Sequence, residues 1–391
     1  MKSKQQGIIL NSTSFVGQFA IAMVNLALVY HLKLNFGFSA QMVGLAAALY
    51  TSTYFIFCLL LGPLAQRMRP RHSVELSTLG MSVCIATLVF SHNITLVLVA
   101  LGLYGMFMSF LWPQVESWIA RGKEGKDLSK AMSSFNVSWS FGTALSPLVT
   151  GILVEYSPLT PLVVGMVLFI AVFLLIAIST YVNPHLQAVV SEKQHIKNTA
   201  LVDQSTSLRY ISWAGVLTVY AALAVILTIF PLYALEHLPL RESEVGTLLL
   251  VRGITTALLF LYLGKTQWWH FKKSLIIGTL IATSALCLWA TTGSSFAHYV
   301  LFFLLFGIVF AFAYSFSIFH GASGSINRSK RMLIHEVLLT IGTVSGNVMG
   351  GVVYQNINFT SVLFVCSALV LLPVLALGFV KEKSPANMPA N

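Results

Sequence analysis

Charge is what this sequence has least of. Only 9% of its 391 residues are Asp, Glu, Lys or Arg and 57% are hydrophobic, against about 25% and about 45–50% in soluble domains. A water-soluble globule is excluded. Acid is scarcer than base, with 12 Asp and Glu against 23 Lys and Arg. The four cysteines, Cys58, Cys84, Cys287 and Cys366, all sit in apolar runs without CxxC spacing, so they read as packing residues rather than a metal or redox site. No GxxxxGK[ST] loop is present, which argues against direct drive by ATP. HExxH, GxSxG and zinc-ligand spacings are missing too, and His335-Glu336 is only an adjacent pair. An enzyme has no support, and neither a metal nor a cofactor is expected.

Long apolar runs fill the space. They fall at about 8–31, 40–62, 73–91, 94–118, 131–155, 160–182, 209–234, 244–264, 274–292, 296–320, 334–355 and 359–380, each near the ~20 residues that a helix needs to cross a bilayer. The pattern predicts an all-α membrane protein with twelve transmembrane helices. A removable signal peptide with a cleavage site at Ala20-Ile21-Ala22 is the competing reading of the first run. The polar load of Asn11, Ser12, Ser14, Gln18 and Asn25 speaks against it.

The distribution of base gives orientation. With the N-terminus inside, the cytoplasmic segments hold twenty of the 23 Lys and Arg, the outer loops hold Lys33 and Arg241, and Arg252 lies within a span. Such a bias places both termini in the cytoplasm and explains the basic excess without nucleic acid. The polar stretch at about 183–208 divides the spans six and six and reads as a cytoplasmic linker between an N-terminal bundle, 1–182, and a C-terminal bundle, 209–391. The halves resemble each other. Met132, Val137, Gly142-Thr143 and Gly151 recur 200 residues later as Met332, Val337, Gly342-Thr343 and Gly351, and Val43-Gly44 and Gly62 recur 202 residues later as Val245-Gly246 and Gly264. Six helices separate the copies, so both enter the membrane in the same direction and the repeat is parallel.

Residues 62–72, Gly62-Pro63-Leu64-Ala65-Gln66-Arg67-Met68-Arg69-Pro70-Arg71-His72, resemble the GxxxDRxGxRR signature of the major facilitator superfamily. Gly62, Arg67 and Arg71 match, while Gln66 replaces the acid and Arg69 the second glycine. Gly142-x3-Ser146-Pro147-x2-Thr150-Gly151 resembles the GxxxGPxxGG pattern of exporters in that superfamily, and Gly342-x3-Gly346-Asn347-x2-Gly350-Gly351 repeats it. The resemblance implies two six-helix bundles rocking about a central site, and a gating role for Gln66, Arg67 and Arg71 that the substituted acid weakens.

A transport site in a parallel six-plus-six fold is expected near the midplane between the bundles, so the polar residues within spans are the candidates. Arg252 is the one basic residue deep in a span, about 12 Å from its outer end at 1.5 Å per residue. Its planar fork of donors suits a carboxylate or phosphate, and no acid stands level with it in the sequence. Structural satisfaction by helix carbonyls, an internal carboxylate or snorkelling is the alternative. Asn136, Ser140, Thr143 and Pro147 share one helix face, as do Glu336, Thr340, Thr343 and Asn347. Asn136, Thr340 and Asn347 are candidate path residues, and the glycines nearby read as close-packing positions. Glu336, near the expected start of its helix, reads as a capping or gating carboxylate. Tyr104, Met108, Trp112 and Glu116 follow at intervals of four, so Trp112 either lines the cytoplasmic mouth or marks the lipid headgroups, and Glu116 is either a proton carrier or a carboxylate meeting cytoplasmic water. Gln18 and Asn25 are the candidates from the first helix. Tyr50, which matches Arg252 in the repeat, is a candidate for the opposite wall, and Tyr220 and Tyr314 for stacking or hydroxyl contacts.

These residues predict a secondary transporter moving a small organic anion, such as a carboxylate, polycarboxylate or metal chelate. Importing one negative charge against 100 mV costs about 2.3 kcal/mol, so uptake would require a co-transported proton or sodium, or exchange. A proton-coupled exporter of hydrophobic drugs and a non-transporting membrane sensor or assembly partner are the other readings. The expected setting is the lipid bilayer of a bacterial inner membrane, with the protein working as a monomer.

Overall fold

The computed structural model of the chain describes residues 2–121, 125–183, 205–325 and 328–377; the side chains of 2–4, Gln66, 125–129 and 328–329 lie outside that description. So does nearly all of the expected linker. The described chain is helical, with no strand: α1 Lys2–Leu34, α2 Ala40–Arg67, α3 Pro70–Phe90, α4 Ile94–Met108, α5 Trp112–Ala120, α6 Gly125–Tyr156, α7 Thr160–Val182, α8 Leu208–Ala224, a π-helical turn Val225–Ile229, α9 Phe230–His237, α10 Glu242–Leu263, α11 Lys273–Trp289, α12 Phe296–Ala322, α13 Arg328–Asn356 and α14 Phe359–Leu377. Eleven helical segments are long and apolar enough to cross a membrane, and α11 is a shorter apolar helix of 17 residues.

The ends are chemically marked. Ser39, Asn93 and Ser295 accept backbone N–H bonds at the starts of α2, α4 and α12, satisfying donors that a first turn leaves free. Pro70 and Pro161 open α3 and α7, where the missing N–H costs nothing. Two proline-linked irregularities interrupt the expected spans. Pro113 lies in the first turn of α5, and a turn over residues 109–111 separates it from α4, so the stripe expected from Tyr104 through Glu116 does not continue on one face. Pro231 follows the π turn that joins α8 to α9, as a ring without an N–H disturbs the i→i−4 ladder.

Helix packing repeats itself. In the first half α1 packs on α6 and α7, α2 on α4, and α3 on α4 and α7; in the second α8 packs on α13 and α14, α10 on α12, and α11 on α12 and α14. Two extensive seams join the halves, α2 against α13 and α6 against α10. Both need glycine where backbones touch. A Cβ on Gly44 would stand 2.3 Å from the Asn347 carbonyl oxygen, and one on Gly246 would stand 2.3 Å from that of Pro147.

These close approaches lie toward one end of the molecule, where α1 and α9 finish and α2 and α10 begin. Polar contacts shut the same end. The Lys33 ammonium pairs with Glu236, whose carboxylate also accepts from the Tyr354 hydroxyl. Ala40 N–H donates to Gln355 Oε1 at 3.0 Å, and Ser243 N–H donates to Glu155 Oε1 at 3.1 Å. Toward the other end no such close approach of glycines joins α2 to α13 or α6 to α10 among the described residues, and Ile56, Leu59, Leu60, Leu64 and Leu333 are about half exposed or more.

Candidate functional site

Arg252 stands in mid-span, between the shut end and this second end. The residue sits ten positions into α10, beside the seam where Gly253 meets Ala144 of α6. Only 4% of its surface is exposed. No carboxylate among the described residues lies within 4.0 Å of it, and its Nε has no hydrogen-bond partner. The guanidinium stands 6.0 Å from the centre of the Phe310 ring and within electrostatic range of Tyr220. A buried cation satisfied chiefly by aromatic faces retains most of its capacity for an anion.

An aromatic wall runs from Arg252 toward the opening. Phe310 lies 5.3 Å from Tyr220 and 6.2 Å from Tyr314, and Tyr220 lies 6.3 Å from Tyr314. Tyr314 then meets His335 at 5.2 Å, one residue before Glu336. Glu116 of α5 and Glu336 of α13 come from opposite halves. Each is solvent-exposed yet enclosed by protein, and the two lie in electrostatic range of one another. Tyr54, Cys58 and Tyr314 feel both carboxylates, and Tyr220 feels Glu336 and Arg252 together. The site therefore draws on α2, α5, α8, α10, α12 and α13.

Other candidates fall elsewhere. Asn136 is exposed on the part of α6 nearer the opening, and Thr340 is half-buried, its hydroxyl donating to the Glu336 carbonyl at 3.1 Å. Gln18 is buried between α1 and α6, with its Cβ 3.3 Å from where a Cβ on Gly142 would lie. Asn25 and Tyr50 line a small recess between α1, α2 and α4, and the Asn25 Oδ1 has no partner. Tyr104 is fully buried, 6.1 Å from the Tyr50 ring and 6.5 Å from Phe169, inside the first half. Trp112 is half-buried against Phe135 at 6.3 Å. Asn347 lies in the α2–α13 seam, 2% exposed. In the signature loop Arg67 is exposed, and Arg71 pairs with Glu75 of its own helix at 3.0 Å while His72 meets the same carboxylate at 3.1 Å. The Gln66 side chain lies outside the described residues.

The family model of the Major Facilitator Superfamily matches residues 10–325. The chain belongs to this superfamily. Membership makes it an integral multi-pass membrane transporter of small molecules, not an enzyme. Solved superfamily structures share its fold. A mutant of the peptide transporter POT in complex with sulfate is 13% identical with a TM-score of 0.75 over 94% of this chain and 93% of that one. The nucleoside transporter NupG is 13% identical with a TM-score of 0.72 over 95% and 98%. A bacterial homologue of the human lysosomal transporter Spinster, in an inward-facing and unoccupied conformation, is 14% identical with a TM-score of 0.70 over 96% of each chain. No curated protein matches the sequence.

Two expectations change on this superfamily scaffold. Glu336 is not a helix cap: α13 begins at Arg328, so the carboxylate stands two turns in, beyond the N–H groups that a first turn leaves free. Cys58 is not buried like the other three cysteines: it is half-buried. The residues that shut the far end, Glu155, Glu236, Tyr354 and Gln355, had no sequence signal beyond lying near span ends, where charged and polar side chains are ordinary.

Proposed function

We propose that this superfamily member is a secondary transporter for a small organic solute bearing a carboxylate or phosphate, and that Arg252 anchors that group. The observation that carries the reading is a guanidinium 4% exposed, without a carboxylate within 4.0 Å among the described residues and with its Nε unpartnered. Keeping a cation inside a membrane costs about 2.5–3.5 kcal/mol on insertion scales, and an arriving anion offsets that cost where no internal acid does. The repeated packing supports twelve spans in two parallel bundles, 1–182 and 209–391, with α4–α5 and α8–α9 each counting as one span. The basic residues assign the open end to the cytoplasm and the shut end to the exterior. Transport then proceeds by rocking of one bundle against the other, with the two glycine seams parting as the opposite end closes.

A thermal-shift screen of purified protein tests the anchor, because a ligand that binds only the folded state raises its apparent stability. Small carboxylates and phosphate monoesters should stabilise the wild type and leave Arg252→Ala unchanged. Equal stabilisation of both proteins by the same anion would reject the assignment.

A further inference from the structure

From Val245 to His335 the sequence has no Asp or Glu. Within that stretch Lys265, Lys272 and Lys273 crowd the turn from α10 to α11, at the end of α10 away from the Lys33–Glu236 seal. After the corresponding turn of the first half, from α2 to α3, Glu75 takes up Arg71 and His72. The turn after α10 is pinned by its own rings. Trp269, 5% exposed, donates its indole N–H to the Leu263 and Thr266 carbonyls, each at 3.1 Å. His270 stacks on Phe319 of α12 with centroids 3.9 Å apart, and Phe271 meets the same ring at 5.1 Å. Phe271 holds a φ of 54°, the one left-handed non-glycine residue among those described, a conformation that persists only where packing over-determines it. Trp268, 43% exposed, and Lys272 are left facing outward. The Lys272 Nζ lies 6.0 Å from the centre of the Trp268 ring, and neither Lys265 nor Lys272 has a carboxylate within 4.0 Å among the described residues. Leu258, Leu261 and Tyr262, on the last turns of α10, are exposed as well.

We propose that this turn binds the headgroup of an anionic phospholipid: Lys272 meets the phosphate, Trp268 lies at the level of the glycerol and the first acyl carbons, and Lys265 adds a second positive charge in the same turn. The site is independent of the anchor role given to Arg252. An indole has an apolar body and a polar N–H, which suits the boundary between headgroups and acyl chains. Basic side chains beside it attract anionic lipid. A soluble phosphate would use the lysines but leave Trp268, Leu261 and Tyr262 without a partner, so the apolar surface favours a lipid. Because the rings of Trp269, His270 and Phe271 already fix the turn, binding orders little further chain.

The test places the full chain in vesicles of mixed phosphatidylcholine and phosphatidylglycerol, with bromine on the acyl chains of one lipid or of the other. Bromine quenches a neighbouring indole, and the difference between the wild type and Trp268→Phe isolates the signal of Trp268. Phosphatidylglycerol should be enriched beside Trp268 about fivefold or more over its share of the bilayer. Lys272→Gln should remove most of that enrichment and Lys265→Gln part of it. Arg69→Gln, which takes an exposed charge from the turn between α2 and α3, should leave it unchanged. No enrichment beside Trp268 overturns the proposal. So does an enrichment that Arg69→Gln lowers as much as Lys272→Gln, because the basic face as a whole would then gather the lipid. Release of phosphatidylglycerol by inorganic phosphate, but not by chloride at matched ionic strength, also overturns it and gives the turn to a soluble phosphate.

Discussion

A buried guanidinium beside an aromatic ring is a demanding residue to replace. Truncating one member of a buried charge pair costs about 2–5 kcal/mol, so Arg252→Ala should weaken anion binding by at least about 30-fold. Arg252→Lys keeps the charge but not the planar fork, and titration of a bound carboxylate should show an affinity between those of the wild type and the alanine variant. Affinity equal to alanine's would mean that fork geometry, not charge, dominates. Arg252 was legible in the sequence because it is the one basic residue deep in an apolar run. The partnership of Glu116 with Glu336 was not. Their electrostatic proximity depends on the break after Met108, on the start of α13 at Arg328 and on how α5 and α13 are placed in opposite halves, none of which a periodicity records.

At the scale of elements, two kinds of contact shut the far end, and their strengths differ. Lys33 and Glu236 are each about a quarter exposed, so their pair contributes only about 0–1 kcal/mol. The glycine seams are less forgiving, because a Cβ on Gly246 would meet backbone that cannot turn aside. Cys58 reports the difference: it is the half-buried thiol of the four, facing the open end, while Cys84, Cys287 and Cys366 are buried. Lys33→Ala should change its labelling rate by a maleimide less than about fivefold. Gly246→Val should disfavour the shut end and slow labelling of Cys58 by more than that, as the opposite end closes over it. A larger effect from Lys33→Ala than from Gly246→Val would reverse the ranking. The helix boundaries themselves were readable within a few residues for most spans, since a bilayer imposes apolar length directly. The latch residues were not, because Glu155 and Glu236 look like any charge near a span end.

For the whole molecule, the repeated contacts of α1–α7 in α8–α14 make rigid-body rocking the natural motion, and the shut end makes it testable. Lys33 of α1 pairs with Glu236 of α9 across the shut end, so cysteines at these two positions lie within reach of a short bifunctional thiosulfonate. The double variant Lys33→Cys with Glu236→Cys should lose transport on cross-linking and regain it on reduction; full transport by the cross-linked protein would mean that the shut end need not part. The parallel repeat was visible in matched glycines such as Gly44 with Gly246, whereas which end stands open was not, because both conformations use the same residues. The most direct test of the whole account is counterflow of a radiolabelled carboxylate, chosen by the stability screen, into vesicles holding wild type or Arg252→Ala. The account predicts accumulation with the wild type and none above empty vesicles with the variant; equal accumulation by the two would contradict it.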